Sequence, residues 1–388
     1  MTPQRPSLCI IAHSADLYGA DRCLHAALPE LVRQYRVTVV VPSPGPGIEV
    51  LKRLGAEVLR LPDYALRRRH LTPKGFLPWL YRLVVTVRTL SRVHKEQRFV
   101  AVYSNTLAAG VGPLLRLRWR IPHVVHVHEC PTEPPWLPRT LLRIVRRTTQ
   151  LVICNSRSTA NWVIASQPSL SNRVVVVHNG LDLVAAPSEP PSTHSPFTIS
   201  CVARIHPKKG QNILLEALRM STERGRDWKV ELYGDTLAEY LPLFDQLIAY
   251  AAQHDLTDRI IWKGFRPDIE DQYRNADVAV VPSVVPEEFS LVCLEAQSML
   301  LAVIATGPGG ASEVVLDGET GLIIPPRDAA ALFTAICRLE DDIDLRHAMG
   351  RAGRTRAETL FSREKYAAGI CSQLDKLISS ASSGRGRA

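Results

Sequence analysis

Short apolar runs rich in β-branched residues alternate with helical patterns along the whole chain. Seven runs in the first half predict strands: Leu8–His13, Arg36–Val41, Val58–Leu61, Val100–Ser104, Val124–His128, Leu151–Cys154 and Arg173–His178. Six runs in the second half predict strands at Phe197–Ala203, Lys229–Tyr233, Ile260–Lys263, Val278–Val281, Val303–Ala305 and Leu322–Ile324. Strands that alternate with helices are typical of βαβ units. Each half therefore predicts an α/β domain with a doubly wound parallel sheet.

A proline-rich segment separates the two alternating patterns. Four prolines fall between Leu183 and Pro196 and break every helical or strand pattern. This composition predicts a linker over 186–196. The first domain then covers 1–185 and the second 197–365. Helical patterns follow Asp328, Asp344 and Ser362, and Ser380–Ala388 is predicted to be a flexible tail.

Length and charge refine this picture. The chain has 388 residues, 46% hydrophobic and 22% charged, which suits two ordinary globular domains. Residues 1–185 hold 25 Lys and Arg against 10 Asp and Glu, a net charge of +15, whereas the remainder holds 22 against 28, a net of −6. The positive half is expected to attract a phosphate-bearing ligand or an anionic membrane. A nucleic-acid partner is not expected, because no binding module is recognisable and the acidic half would repel a phosphate backbone.

Membrane spans and covalent cross-links are not predicted. The apolar stretch Leu8–Ala12 is too short for a signal peptide. The charge-free runs Phe99–Leu115 and Ala296–Ser312 contain polar residues and are interpreted as buried strand-loop-helix passages. Eight cysteines show no Cys-x-x-Cys spacing and no clustering with histidine. They predict a reducing cytoplasm and neither disulfides nor a zinc site.

The most basic part of the first half is the region 67–98. Helical spacing gives one apolar stripe and a separate basic face: Phe76, Leu80, Leu83, Val87 and Leu90 on the first, and Arg88, Arg92 and Lys95 on the second. Trp79 and Tyr81 add interfacial aromatic rings. Two interpretations stay open. The helix lies on lipid headgroups, or it covers the sheet with a solvated outer face.

Candidate chemistry centres on the stretch from Pro282 to Leu300. Pro282 ends a strand, Glu287 follows in a loop, and Glu295 lies eight positions later inside a helical segment. The first amides of that helix belong to Phe289, Ser290, Leu291 and Val292. Such amides and the positive end of the helix dipole bind phosphate, and flanking carboxylates bind hydroxyls. The pattern predicts a nucleotide-sugar site; an acidic first turn that only caps a helix is the alternative.

Two cations precede this stretch. Arg204 stands where a predicted strand ends, and Lys209 comes directly before Gly210 and a predicted helix over Gln211–Met220. Cations at the carboxyl end of a parallel strand suit an anionic ligand lying over the sheet edge. A surface lysine pair with a structural arginine is the alternative.

Taken as an ordered set, these motifs resemble the retaining glycosyltransferases of family 4. The set is Arg204 with Lys209-Gly210, the Glu287–Glu295 pair ending in Leu-Glu-Ala, and Gly309-Gly310 with Glu313, within a match from about residue 8 to about residue 365. The resemblance implies a GT-B fold, with two Rossmann-like domains facing across a cleft. It also implies that a last helix within 366–388 returns to the first domain. The donor would be a nucleotide diphosphate sugar, and neither a divalent metal nor another cofactor would be needed.

The resemblance also assigns roles to individual residues. It implies that Glu295 binds ribose hydroxyls, that Glu287 and His128 contact the hexose, and that Gly19 approaches the donor phosphates. This chain has Gly19-Ala20 where the family has paired glycines, which leaves one backbone contact open.

Two further positions combine residue chemistry with the resemblance. Strand periodicity puts His126 and His128 on one side of the sheet, where a metal site would be the alternative, but no carboxylate or cysteine with ligand spacing accompanies them. A purely structural role stays open for His126. The loop that contains Arg266 is expected to meet the base, with the guanidinium stacking on it or binding phosphate.

The expected function is a retaining, metal-independent transfer of a hexose to a lipid-linked, phosphate-bearing or polysaccharide acceptor. Cell-surface polysaccharide or lipopolysaccharide synthesis is the expected setting, in the cytoplasm or at the inner face of its membrane. Three alternatives stay open: a GT-B glycan phosphorylase, a nucleotide-sugar epimerase, and a non-catalytic nucleotide-sugar binder.

Overall fold

The computed structural model describes residues 5–385 except positions 186, 188 and 192. The chain forms two compact units. The first contains the described residues up to Leu181 together with those from Arg363 onwards, and the second is Asp182–Ser362. The predicted linker at 186–196 includes three positions outside the described residues.

The first unit contains a seven-stranded parallel sheet. Its strands are β1 Ser7–Ile11, β2 Arg36–Val41, β3 Glu57–Arg60, β4 Ala101–Ser104, β5 His123–Val127, β6 Leu151–Cys154 and β7 Val174–Val176. The strand order is β3-β2-β1-β4-β5-β6-β7. Every residue of β1, β4, β5 and β6 is buried, as expected for parallel strands covered on both faces. The order reverses between β1 and β4, where the loops diverge and leave room for a ligand.

The second unit repeats this plan with six parallel strands. They are β8 Phe197–Val202, β9 Trp228–Tyr233, β10 Ile260–Gly264, β11 Val278–Val281, β12 Ala302–Thr306 and β13 Gly321–Ile324. The order is β10-β9-β8-β11-β12-β13, with the reversal between β8 and β11. All thirteen predicted strands are confirmed, with ends displaced by no more than two residues.

Helices cover both sheets. In the first unit they are α1 Gly19–Gln34, α2 Gly47–Arg53, α3 Pro73–Gln97, α4 Gly112–Trp119, α5 Trp136–Thr148 and α6 Arg157–Ser166. In the second they are α7 Gln211–Glu223, α8 Leu241–Gln253, α9 Ile269–Tyr273, α10 Leu291–Ser298, α11 Ala311–Val314, α12 Ala329–Asp341 and α13 Ile343–Leu360. The last helix, α14 at Arg363–Arg385, belongs to the first unit and packs along α1. None of the described helices combines the length and the apolar character needed to cross a bilayer.

The structure corrects the predicted apolar stripe of the basic segment. Leu83 and Leu90 of α3 are buried in the core, but Phe76 and Leu80 are 47% and 42% exposed. The first turns of α3 pack on the preceding turn at Arg68–Leu71, where Trp79 stacks on a histidine ring. The C-terminal half of α3 therefore covers the sheet, while its N-terminal half leaves apolar side chains in water.

The predicted flexible tail is wrong over Ser380–Arg385, because α14 continues through Arg385. In this helical serine-rich run, hydroxyls donate back to carbonyls of the preceding turn, so the serine side chains do not compete for the helical amides. Ser380 Oγ donates to the Leu377 carbonyl at 2.8 Å and Ser382 Oγ to the Ile378 carbonyl at 3.0 Å. Residues 386–388, also part of that prediction, lie outside the described residues.

Candidate functional site

Three loops meet at the strand-order reversal of the second unit. They follow the neighbouring strands β8, β11 and β12. Val284 N donates to the Lys208 carbonyl at 2.9 Å, and Gly310 N donates to the Glu287 carbonyl at 2.6 Å. A Cβ at Gly210, which has a φ of +70°, would collide with the Pro282 carbonyl oxygen. Glycine is therefore required for the first two loops to pack this closely.

A partly buried ion pair joins two of these loops. Lys209 Nζ lies 2.7 Å from Glu287 Oε1, and Ser283 Oγ donates to the same oxygen at 2.6 Å. The Glu287 side chain is 12% exposed and that of Lys209 is 37% exposed. The structure therefore brings together a cation and a carboxylate that the sequence analysis assigned to different parts of a ligand.

Both members of the pair are charged at neutral pH. Burial alone would raise the pKa of Glu287, but the Lys209 cation and the hydroxyls of Ser283 and Ser290 hold that pKa below its ordinary value. Burial alone would lower the pKa of Lys209, but the Glu287 carboxylate raises it. The pair thus presents a fixed ammonium and a fixed carboxylate at the ends of β8 and β11.

Helix α10 begins beside the pair. Ser290 is its N-cap, and Ser290 Oγ accepts a hydrogen bond from Cys293 N at 3.5 Å. The amides of Leu291 and Val292 lie in the first turn, before the hydrogen bond from Leu294 N to the Ser290 carbonyl. The predicted Phe289–Val292 segment thus spans the loop and the helix start. Glu295 lies one turn into α10 and is buried.

The two arginines of the prediction lie on separate loops. Arg204 is exposed, and its carbonyl accepts from Gln211 Nε2 at 2.9 Å, which ties its loop to the start of α7. Arg204 is close enough to Lys209 to lower that lysine's pKa slightly, against the effect of Glu287. Arg266 is exposed on the loop after β10, and its positive charge acts on the buried hydroxyl of Tyr233. Arg204 therefore lies near the Lys209–Glu287 pair, whereas Arg266 lies on a different loop of the same sheet.

In the first unit, two histidine rings lie in tilted contact at the carboxyl end of β5. The centroids of His126 and His128 are 3.8 Å apart, as strand periodicity predicted. His126 Nδ1 lies 2.6 Å from the Tyr103 hydroxyl, and the Tyr366 ring of α14 packs 6.2 Å away. Burial, and then the neighbouring His13, lower the pKa of His128 to about 3. His128 is therefore a neutral imidazole at pH 7, and neither of its ring nitrogens has a hydrogen-bond partner within the described part of the chain.

The start of α1 lies at the strand-order reversal of the same sheet. Gly19 is its exposed first residue, and a Cβ there would meet nothing within 4 Å. Asp21 is buried, accepts from Ser14 Oγ at 2.6 Å, and has its pKa raised to about 6, mainly by burial. Asn105 Nδ2 donates to the Ala20 carbonyl at 3.1 Å, which fixes this turn to the end of β4. The protein's own packing thus places no demand for glycine at position 19.

Sequence reasoning missed several polar residues of these sites. They are Ser283 beside Glu287, and His13, Ser14, Asp21 and Tyr103 near the histidines. Ser290 was predicted for its amide only, and its hydroxyl also contacts Glu287. Ser283 and Ser290 flank Glu287 within the stretch already singled out, so their spacing was a usable signal. Tyr103 carried no signal, because only the pairing of β4 with β5 brings it to His126.

Within the described residues, no group of three or more His, Cys, Asp or Glu side chains is placed to hold a metal ion. All eight cysteines are free. Burial raises the pKa of Cys154, Cys201 and Cys293 to about 12, so these thiols stay protonated and act as core side chains.

Two family models match the chain, one for each unit. Residues 18–184 match the model described as Glycosyltransferase Family 4, and residues 185–356 match Glycosyl transferases group 1. The D-inositol 3-phosphate glycosyltransferase of Paenarthrobacter aurescens is 30% identical over 347 residues, covering 82% of this chain and 81% of the relative. The lipopolysaccharide core biosynthesis mannosyltransferase LpcC of Rhizobium leguminosarum is 30% identical over 180 residues. That match covers 46% of this chain and 51% of the relative, so the chain spans about half the length of LpcC.

A solved structure shares the fold. HepE of Anabaena, crystallised in complex with UDP and glucose, superposes with a TM-score of 0.82 over 96% of this chain and 100% of its own, at 24% identity. At that identity the likeness shows the fold alone. Because matched family models span both units and a relative matches over four fifths of each chain, the protein belongs to glycosyltransferase family 4 and is a glycosyltransferase of the GT-B type.

Proposed function

We propose that the protein is a retaining, metal-independent hexosyltransferase that takes its sugar from a nucleotide diphosphate donor. The observation that carries the proposal is the Lys209–Glu287 pair beside the start of α10, at the strand-order reversal of the second sheet. This place offers cations and amides for a pyrophosphate and an ionised carboxylate for sugar hydroxyls. The complex of HepE with UDP and glucose supports the same class of donor.

In the proposed donor complex, each group of the second unit has one task. An ammonium has three donors, so Lys209 can hold Glu287 and still donate to phosphate oxygens. Arg204 and the amides from Phe289 to Val292 complete the pyrophosphate site. Glu287 accepts from hexose hydroxyls, Glu295 accepts from the ribose, and Arg266 contacts the base or a phosphate. No divalent cation and no other cofactor is needed, because protein donors neutralise the charge.

The proposed reaction proceeds on one face of the sugar. The bond between the anomeric carbon and the β-phosphate oxygen breaks while a bond to the acceptor oxygen forms. The acceptor's proton passes to the departing phosphate oxygen, so atoms and charges balance and the configuration is retained. Lys209 and Arg204 stabilise the charge that grows on that phosphate. In the first unit, the proposed role of His128 is that of a neutral imidazole hydrogen-bonding a hexose, and the proposed role of the exposed turn at Gly19 is to leave room for donor phosphates.

The proposed acceptor is a lipid-linked or otherwise phosphate-bearing glycan of the cell surface. Two observations support it. Residues 64–181 carry 18 Lys and Arg against 3 Asp and Glu, and such a field attracts anionic acceptors. Among the relatives, one acts in lipopolysaccharide core biosynthesis and another is a D-inositol 3-phosphate glycosyltransferase. The proposed location is the cytoplasm, in peripheral contact with the inner face of its membrane.

The donor site is tested by comparing neighbouring lysines of one loop. A thermal-shift screen of UDP-, GDP- and ADP-sugars first identifies the donor. Turnover of that donor with a lipid extract should then fall by about 100-fold or more in Lys209→Ala and Arg204→Ala, since each loses a group that binds the leaving phosphate. Lys208→Ala, which removes an exposed lysine one position away, should stay within a few-fold of the parent.

Three results would contradict the proposal. An Arg204→Ala enzyme with an unchanged rate would remove the assigned role of the leaving-group cations. Loss of turnover in EDTA, restored by a divalent ion, would overturn metal independence. A product of inverted anomeric configuration by NMR would overturn retention.

A further inference from the structure

Large apolar side chains of the first unit are exposed on one group of helices. Of the eleven large hydrophobic residues exposed in this unit's described part, nine lie on α3, α4 and α5, and none lies on α1, α2 or α14. Single exposed apolar residues are normal on a protein surface, whereas a concentration on neighbouring helices marks an interaction site. Nothing in the proposed donor chemistry uses these residues.

Helix α5 shows how apolar and basic residues share one outward line. Trp136, Arg139, Arg143, Ile144 and Arg147 recur at intervals of three, four and one residue and so lie on the same side of the helix. The Trp136 and Ile144 side chains are 53% and 41% exposed, and the three arginines are exposed as well. The opposite side of α5 packs into the core.

Helix α3 has the same character. Leu77 and Tyr81 are 69% and 71% exposed, and the line they begin continues through Val84 to Arg88 and Arg92. Helix α4 packs against both α3 and α5. Each of these three helices connects a strand to one that lies nearer to β7 in the sheet order. Because crossovers between parallel strands are right-handed, all three helices lie on the same side of the sheet. The outward residues of α3, α4 and α5 are called the basic-aromatic face below.

Charge separates this face from the helices on the other side of the sheet. Helices α3, α4 and α5 carry 11 Lys and Arg against 1 Glu, whereas α1, α2 and α14 carry 8 against 5. On the other side, Arg33 and Lys52 form ion pairs with glutamates of their own helices. Within the described part of the chain, the α5 arginines have no carboxylate oxygen within 4.0 Å. Their charge is therefore available to an external anion.

We propose that the basic-aromatic face docks the enzyme on the anionic headgroup surface of a phospholipid bilayer. A broad array of cations suits a plane of diffuse negative charge, and tryptophan and tyrosine side chains such as Trp136 and Tyr81 insert at the level of headgroups. The inference deepens the proposed function, on which it rests for the lipid-linked acceptor that would make docking useful. Nucleic acid, the other polyanion such a face could bind, is an outcome of the test.

The test compares two triple variants of the full chain that remove the same charge from opposite sides of the sheet. Arg139→Gln, Arg143→Gln and Arg147→Gln are combined on α5; Arg33→Gln, Lys52→Gln and Arg53→Gln are combined on α1 and α2. Binding is measured by co-sedimentation with vesicles of phosphatidylcholine containing about 30% phosphatidylglycerol, and with vesicles of phosphatidylcholine alone. One cation at an anionic surface changes the partition constant about five-fold. The partition constant of the α5 triple variant for anionic vesicles should therefore fall by about 100-fold. That of the control variant should fall by less than about five-fold, because the cations removed on α1 and α2 stay away from the lipid.

A second variant tests the apolar part of the face. Leu77→Ser combined with Tyr81→Ser should weaken vesicle binding at both low and high salt, whereas the effect of the α5 charges should fade as salt rises. All five side chains changed on α3 and α5 are exposed, so thermal unfolding of these variants should match that of the parent.

Several outcomes would overturn the inference. One is equal binding by the parent and the α5 triple variant; another is an equal loss in the two triple variants. Competition by duplex RNA, with RNA affinity lost more steeply than vesicle affinity in the α5 triple variant, would assign the face to nucleic acid instead. Thermal shifts with the donor nucleotide, measured on every variant, report separately on the donor site. Loss of vesicle binding with intact donor binding supports docking, and failed donor binding with intact vesicle binding contradicts only the proposed function.

Discussion

Breaking the Lys209–Glu287 pair should reveal an interaction much stronger than a surface ion pair. The perturbations are Glu287→Gln and Lys209→Met, which keep side-chain size, and the double variant. The pair joins the loop after β8 to the loop after β11, so each single variant leaves one charged group beside a loop packed against its neighbour. The double variant removes both charges and should recover part of the lost stability.

The expected magnitude follows from the geometry. At the observed separation of 2.7 Å, Coulomb attraction is about 1.5 kcal/mol with the dielectric constant of water and about 6 kcal/mol at an effective value of about 20. Because Lys209 is 37% exposed, water screens the pair and the lower part of that range applies. We expect a coupling free energy of about 2 kcal/mol, which corresponds to about 4–8 °C in the melting temperature of a domain of this size.

The assay is urea unfolding of the four proteins, followed by tryptophan fluorescence; Trp228 in the core of the second unit reports on this domain. The matched control is the pair Arg274–Glu270 on the surface of the same unit, with side chains 64% and 43% exposed. A double-mutant cycle on this control pair should give a coupling free energy of about 0.5 kcal/mol or less. Additive effects of Lys209→Met and Glu287→Gln, or coupling no larger than in the control, would refute the reasoning.

The pH dependence provides an independent check. The folded-state pKa of Glu287 is lowered from 4.5, so its contribution is present above that pH and is lost as pH falls through the lower folded value. The folded-state pKa of Lys209 is raised from 10.5, so its contribution is present below that pH and is lost only at higher pH. The stability difference between parent and Glu287→Gln should therefore be flat between about pH 5 and pH 9 and shrink in acid. A difference that changes across neutral pH would contradict the assignment.

Three further variants probe the glycine loops and the first unit. Gly310→Ala would put a Cβ under 3.0 Å from the backbone of Glu288, so calorimetry with the donor nucleotide should show at least about ten-fold weaker binding. A Cβ in Gly19→Ala would meet nothing within 4 Å, so this variant should melt at the parent temperature, and a lower melting point would contradict the turn geometry. Burial raises the pKa of Asp21 from 3.8 to about 6, so the folded state loses stability as pH rises through that range. The free energy of unfolding of Asp21→Asn should therefore rise relative to that of the parent, by up to about 3 kcal/mol, between about pH 4 and pH 7. Thermal melts across that range measure it, and a constant difference would mean that the Asp21 carboxyl is not held in its buried position.

The strand pattern was predictable because parallel strands buried on both faces need unbroken apolar runs. Leu151–Cys154 and Val278–Val281 have the same bounds in the prediction and in the structure. The first turns of α3 were not predictable in this way. Periodicity gives Phe76 and Leu80 the same face as Leu83, but whether a sheet lies beneath each turn depends on tertiary packing, and here only the later turns reach the core.

The candidate site was predictable as a set of residues and less so as a set of contacts. Placing Arg204, Lys209 and Glu287 after neighbouring strands required only the strand order of a doubly wound sheet. That Lys209 and Glu287 touch depends on loop conformations fixed by Gly210 and by the hydrogen bond from Val284 N to the Lys208 carbonyl. These are long-range backbone contacts, and no spacing along the chain encodes them.

The position of α14 has a consequence for how the chain is made. Leu28 and Leu31 of α1 are buried in the finished unit, and Ile370 and Leu374 are buried on α14, which packs along α1. A ribosome completes the seven strands of the first sheet long before it releases α14. The apolar surface that α14 covers in the folded protein therefore stays exposed while the second unit is translated. That second unit is contiguous and can mature first. A gene fragment ending at the linker would encode an incomplete first unit that is prone to aggregate. Adding Arg363–Arg385 as a separate peptide should restore its solubility.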